Sequence, residues 1–173
     1  AGLLSMGTVL IRMVPPVVVA VPMYVLWTKF GLTGGLSGLV LAYLGLTIPL
    51  NVWMLSIFIK EIPFELEEAA AIDGCSYMRI LWGIVVPLIK PGISVTSVFT
   101  FRTAWNEFLL AIILSNRSTR TLPAAVSLMI SDLGINWGQI MAMATIIAIP
   151  AFIVTFACSK NLITGMTAGA VKG

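Results

Sequence analysis

A chain of 173 residues that is 59% hydrophobic and only 10% charged, with a mean hydropathy of +1.05, cannot clothe a globule in water. Soluble domains draw on about 25% charged residues for that surface, so the solvent of this chain is largely lipid. A net charge of +3 from scattered basic residues leaves no footprint for nucleic acid, and the lack of histidine removes the commonest general base and most zinc and haem sites.

Cys75 and Cys158 have neither metal-ligand nor redox spacing and are expected as buried or interfacial free thiols. The opening Ala-Gly-Leu-Leu has no methionine and no charged region ahead of its apolar run, so it reads as a fragment rather than a signal peptide.

In chain order, four apolar segments are long enough for a bilayer core of roughly 30 Å, which takes about 20 helical residues. The first runs from about Met6 to Trp27, interrupted by Arg12, Pro15, Pro16 and Pro22. Arg12 is expected to snorkel to the interface. The second, Leu36 to Ile59, carries Pro49 and Asn51. The third, Ile80 to Leu114, is too long for one straight span; Pro87 and Pro91 divide it, leaving Pro91 to Leu114 as the expected crossing. The fourth runs from Trp137 to about Cys158 around Pro150. Prolines inside every span are costly in water-soluble helices. In membranes neighbouring helices or water satisfy the freed carbonyls, so kinked helices around a path are expected. The fold class is therefore all-α, a polytopic membrane bundle with four transmembrane helices in a single domain over 1–173.

Between the spans lie a tight polar turn at 28–35, an acidic loop at about 60–83, and a longer loop at about 115–136 with a short amphipathic helix expected after Pro123. A short glycine-rich tail occupies 159–173. Four spans put the termini and the acidic loop on one face. That face has Lys60, Arg79, Lys160 and Lys172, with Lys90 just inside, against Lys29, Arg117 and Arg120 on the other. The positive-inside rule narrowly favours a cytoplasmic acidic loop.

Five of the seven acidic residues, Glu61, Glu65, Glu67, Glu68 and Asp73, fall within this one loop. Pro63 suits the first turn of a helix, and the glutamates then sit at the positive end of its dipole. Ala69, Ala70 and Ala71 favour helix, and Gly74 can take the left-handed conformation that ends one. Ser76 can cap a second helix leading through Ile84 and Pro87 toward the membrane. Two readings stay open on these grounds: a docking surface with exposed carboxylates and small residues, or an interfacial helix with solvated acids and no partner.

Arg102 and Glu107 fall near the middle of the third span, where an ionisable group marks a polar cavity by default. Five residues turn a helix through about 500°, so the two charges do not share a face; Arg102 shares one with Asn106, and Glu107 with Thr103. Trp105, Asn106 and Glu107 offer an aromatic face and hydrogen-bonding groups suited to a sugar. They read as path-lining residues, as polar glue between helices, or as residues at the outer interface, where Trp is common. Asn51 is a weaker path candidate, with helix contact as its alternative.

The stretch "EAAAIDGCSYMRILWGIVVP" (68–87) resembles the signature of permease subunits of binding-protein-dependent ABC importers, with Glu68-Ala69-Ala70, Gly74, Ile84 and Pro87 at the family's spacing. Val86 stands where the family usually has leucine. "IPFELEEAAAIDG" (62–74), "WNEFLLA" (105–111), "RTLPAAV" (120–126) and "GMTAGAVKG" (165–173) are similar to the carbohydrate-uptake branch, the partner subunit of the maltose-transporter type. The resemblance implies a cytoplasmic coupling helix that docks on an ATPase dimer, with Glu67, Glu68, Ala69, Ala70, Asp73, Gly74, Ile84 and Pro87 as the coupling residues. It further implies a second permease subunit in a heterodimer, an extracytoplasmic solute-binding protein, a bacterial or archaeal cytoplasmic membrane, and further helices upstream. Arg102 departs from the pattern, since similar permeases usually have a small or apolar residue there.

The implied function is ATP-driven uptake of a sugar or oligosaccharide through a path that includes Arg102, Trp105, Asn106, Glu107 and Asn51. The alternative is the same architecture importing an amino acid, oligopeptide or anion. No GxxxxGK[ST] phosphate loop is present, so the chain is expected to bind no cofactor, with ATP and magnesium held by the separate ATPase. A membrane-embedded enzyme is disfavoured by the missing histidine and carboxylate pairs, and an ATPase-independent channel by the signature.

Overall fold

The computed structural model describes Gly7, residues 14–131 and residues 134–170, with side chains of the last helix described to Cys158. Its elements are α1 (Pro16–Lys29), α2 (Leu36–Lys60), α3 (Phe64–Ile72), α4 (Tyr77–Ile80), a π-helical turn (Leu81–Val85), α5 (Val86–Leu88), α6 (Lys90–Trp105), α7 (Leu109–Leu114), α8 (Leu122–Ser127) and α9 (Trp137–Ala170). Among the described residues the only strands are Ile130–Ser131 and Gly134–Ile135, which pair antiparallel with Ile130 opposite Ile135.

α1 starts at Pro16, where a missing N–H costs nothing, and ends at Gly31, whose φ of 66° lets Leu32 donate back to the Trp27 carbonyl at 2.8 Å. The chain then reverses into α2. The Trp27 indole N–H donates to the Gly38 carbonyl at 2.7 Å, and a Cβ at Gly38 would run into the Leu32 carbonyl. Only glycine lets the turn at 28–35 lie this close to α2.

Two apolar cores result. Ala20, Leu39, Ala42, Leu110, Ala111, Leu114 and Ala124 join α1, α2, α7 and α8; four of these are alanines, which let helix backbones approach closely where lipid supplies no hydrophobic drive. Ala70, Ile80, Val85 and Ile89 form the second, beneath α3, with Leu55 and Phe58 of α2 packed against it. α6 lies between α2 and α9. The outward faces of α1 and α9 stay apolar, with Val17, Val21, Phe152 and Phe156 exposed, as a lipid-facing helix requires.

Of the four expected spans, α2 and α9 (Trp137–Cys158) are each long and apolar enough to cross a membrane. Tyr77–Leu88 and Lys90–Trp105 make a third crossing if the pair, bent by 74°, counts as one span. α1 has 14 residues, and Arg12 with the start of the first expected span lies outside the described residues, as do the side chains of Lys160 and Lys172. The expected continuous crossing from Pro91 to Leu114 is corrected. The helix stops at Trp105 and restarts at Leu109, because Asn106 turns its amide back onto the Arg102 carbonyl at 2.9 Å and Glu107 caps the next helix. A short helix does follow Thr121, with Pro123 in its first turn.

Candidate functional site

The acidic loop folds as a corner. α3 begins after Pro63, with Glu65 and Glu67 in its first turn beside the positive end of the helix dipole. It ends at Gly74, φ 80°, where Cys75 donates to the Ala70 carbonyl and Gly74 to the Ala71 carbonyl, each at 3.0 Å. That paired closure needs a left-handed residue, which glycine adopts without a side-chain penalty. Asp73 is the last residue before the turn, and its own N–H donates to the Ala69 carbonyl at 3.0 Å. Ser76 stands at the start of α4, but its hydroxyl makes no capping bond; only its carbonyl serves, accepting from Arg79 and Ile80.

Ala70 is buried against the helix-end core, while Glu68, Ala69, Asp73 and Gly74 face outward and Glu67 is half-buried. Ile72 is 86% exposed and Tyr77 82%, with Met78 and Trp82 also outside. Beside them a cleft of about 460 Å³ is lined by Phe64, Glu67, Glu68, Tyr77, Ile80 and Val85 among others. Large apolar side chains standing out between carboxylates at one end of the molecule make a surface suited to a protein partner. The charge count drew attention to the acids. The apolar half of the surface was missed, although Ile72, Tyr77 and Trp82 are written in the same loop.

From this corner the chain passes into the bundle through an irregular joint. Leu81–Val85 widens to a π-helix immediately before Pro87, which has no N–H to donate and whose ring crowds the carbonyl four residues back. Ile84 is half-buried and Pro87 exposed within this joint. The helix breaks at Ile89, and Pro91 starts α6 in its first turn, so the two prolines bracket the 74° bend.

Within the bundle, Arg102, Trp105 and Asn106 come together on a cavity of about 600 Å³ between α6, α8 and α9, whose other walls include Phe101, Ile147 and Phe152. Trp105 stacks on Phe101 with ring centroids 5.3 Å apart, and its indole N–H donates to the Ile147 carbonyl at 3.1 Å, within the turn that Pro150 disturbs. Asn51 is not on that cavity. It lines a second one of about 420 Å³ with Thr96, Ser97 and Thr100, and accepts a hydrogen bond from the Thr100 hydroxyl at 2.7 Å.

Glu107 lines neither cavity. Its two carboxylate oxygens accept from the backbone N–H groups of Leu110 (2.8 Å) and Ala111 (3.0 Å), closing the open start of α7. The Tyr43 hydroxyl faces Glu107 and Thr121 without the geometry of a hydrogen bond to either. The extended-helix expectation concealed this role, because a cap exists only where the helix breaks. Cys75 and Cys158 are free thiols, each half-buried.

Residues 2–167 match the family described as binding-protein-dependent transport system inner membrane component. The chain is 34% identical to the diacetylchitobiose uptake system permease protein DasC of Streptomyces coelicolor, over 96% of this chain and 61% of that protein. It is 35% identical to the trehalose/maltose transport system permease protein MalG of Thermococcus litoralis, over 84% of this chain and 53% of that protein. It is also 35% identical to the sulfoquinovosyl glycerol transport system permease protein SmoH of Agrobacterium fabrum, over 92% of this chain and 56% of that protein. The chain thus spans between half and two thirds of the length of each of these relatives.

Proposed function

The chain belongs to the family of binding-protein-dependent transport system inner membrane components, and from that premise we infer that it forms part of the path for ATP-driven uptake of a sugar or oligosaccharide. It is a multi-pass subunit of a bacterial or archaeal cytoplasmic membrane and carries out no catalysis itself. Its partners are an ATPase dimer, a second permease subunit in a heterodimer, and an external solute-binding protein. The observation that carries this reading is the corner at α3, Gly74 and α4, where Glu68, Ile72 and Tyr77 stand exposed at the end of a jointed helix.

Energy must enter from a soluble partner, and this corner is the docking surface that the partner needs. Displacing it would move α6 through the bend at Ile89, because α4, the π-helical turn, α5 and α6 form one jointed rod. The cargo reading rests on two supports. The relatives' names concern diacetylchitobiose, trehalose/maltose and sulfoquinovosyl glycerol. The 600 Å³ cavity presents three aromatic side chains, an amide and a guanidinium, which can stack on a sugar ring and bond its hydroxyls. The same architecture importing an amino acid or oligopeptide gains no support from those names.

The test uses the full-length protein with its ATPase, second permease and binding protein in proteoliposomes. ATP-dependent uptake of a labelled disaccharide is expected. A Glu68→Lys, Gly74→Val double variant is expected to lose the co-purifying ATPase and the uptake together. Uptake that survived the double change would sink the coupling role; amino acid uptake without sugar uptake would sink the cargo.

A further inference from the structure

The two cavities beside α6 lie at different depths along it. The smaller is walled by Ile93, Thr96, Ser97, Thr100 and Phe101, toward the α3 corner. The larger is walled by Val98, Phe101, Arg102, Trp105 and Asn106, toward the loop at 115–121. Among the described residues, Phe101 is the one common to both linings. Both linings carry polar groups, Arg102 and Asn106 in the larger and Asn51, Thr96, Ser97 and Thr100 in the smaller, so water or a polar solute can wet either.

The Phe101 ring is held in place from one side. It stacks on Trp105 at 5.3 Å with 21° between the planes, and Trp105 is tied by its indole N–H to the Ile147 carbonyl of α9. A shift of α6 against α9 would break that single bond and release both rings together. The geometry points to Phe101 as a gate between two polar chambers of one path, with Trp105 as the latch that holds it shut against α9. This rests on the transport reading for its purpose, but the partition itself does not depend on what is carried. A solute or water file running along α6 from the Arg102 side to the Asn51 side would pass this ring.

The experiment uses the full-length complex in a Cys75→Ser, Cys158→Ser background with Ser97→Cys as reporter in the smaller chamber. Membrane-impermeant sulfonatoethyl methanethiosulfonate is added from whichever face modifies an Asn106→Cys reporter, which identifies the side open to the larger chamber. Phe101→Ala is expected to speed modification of Ser97→Cys by about tenfold or more, as for a gate open about a tenth of the time that becomes permanently open. Phe101→Trp should leave it slow, and Trp105→Phe, which keeps the ring but loses the tie to Ile147, should give an intermediate rate. Should Phe101→Ala fail to assemble, Phe101→Leu serves with the same expected direction. A rate in the small-side-chain variant no different from that of the parent, with Asn106→Cys still modified, would overturn the gate. Sugar uptake measured on the same vesicles separates the two readings. Faster modification in the variant, with a parent complex that takes up no sugar, would leave the partition standing and remove the sugar cargo.

Discussion

Glu107 illustrates how one side chain can hold an interruption in place. Both of its oxygens are committed to the first free N–H groups of α7, so the carboxylate substitutes for the helical turn that is missing between Trp105 and Leu109. Removing a cap of this kind costs about 1–2 kcal/mol. Glu107→Ala is therefore expected to lower the thermal stability of the detergent-solubilised protein by that amount, and Glu107→Gln, which keeps one acceptor, by about half. The outcome also decides between roles: if Glu107 bound cargo directly, Glu107→Gln would weaken half-saturation for uptake while leaving the melting temperature unchanged. At this scale the sequence identified the residue types but not their partners. Arg102, Trp105 and Asn106 do converge on one cavity, whereas Glu107 turns inward to backbone and Asn51 pairs with Thr100 on another helix face. Asn51 and Thr100 stand 49 positions apart, and no local pattern encodes such a distance.

The element that most shapes the molecule is the jointed rod from Tyr77 to Trp105. Proline in a helix interior costs about 3 kcal/mol, but in a first turn almost nothing, so Pro91 is accommodated by starting a new helix and Pro87 by a widened turn before it. A Pro87→Ala, Pro91→Ala double variant removes the reason for the break. Spin labels at Met78 and Asn106 should then move from about 34 Å apart, for arms bent by 74°, toward about 42 Å for a straight helix rising about 1.5 Å per residue. An unchanged distance would show that tertiary packing around Ile89, and not the prolines, sets the bend. The position of this joint was legible in the sequence, because proline acts on its own helix. The break at 106–108 was not, because asparagine and glutamate stop a helix only when their side chains find local backbone partners.

For the whole molecule, the odd number of crossings between the acidic corner and the loop at 115–121 is the testable feature. In the full-length protein, an alkaline phosphatase fusion after Arg117 should be active and one after Glu65 inactive, since the enzyme folds only outside the cytoplasm. Equal activity at the two sites would mean that the bent pair re-enters on the side it left, and that the residues from 77 to 105 are not a crossing. Among the described residues, Val17 and Val21 on α1 and Ile146 and Ile153 on α9 stand exposed, an apolar surface that calls for lipid or another membrane subunit around it.

Composition alone determined that this protein lives in lipid, and local chemistry determined the corner: alanines to make a helix, Gly74 to end it, prolines to turn the chain afterwards. These are properties of a residue and its near neighbours, and they survive whatever surrounds them. Only the tertiary structure decided which polar groups meet. It separated Glu107 and Asn51 from the chamber formed by Arg102, Trp105 and Asn106, and it set Phe101 in the wall between two cavities. A polar atom in an apolar bundle must find a partner wherever the packing offers one, and that choice is made between helices, beyond the reach of spacing along a single chain.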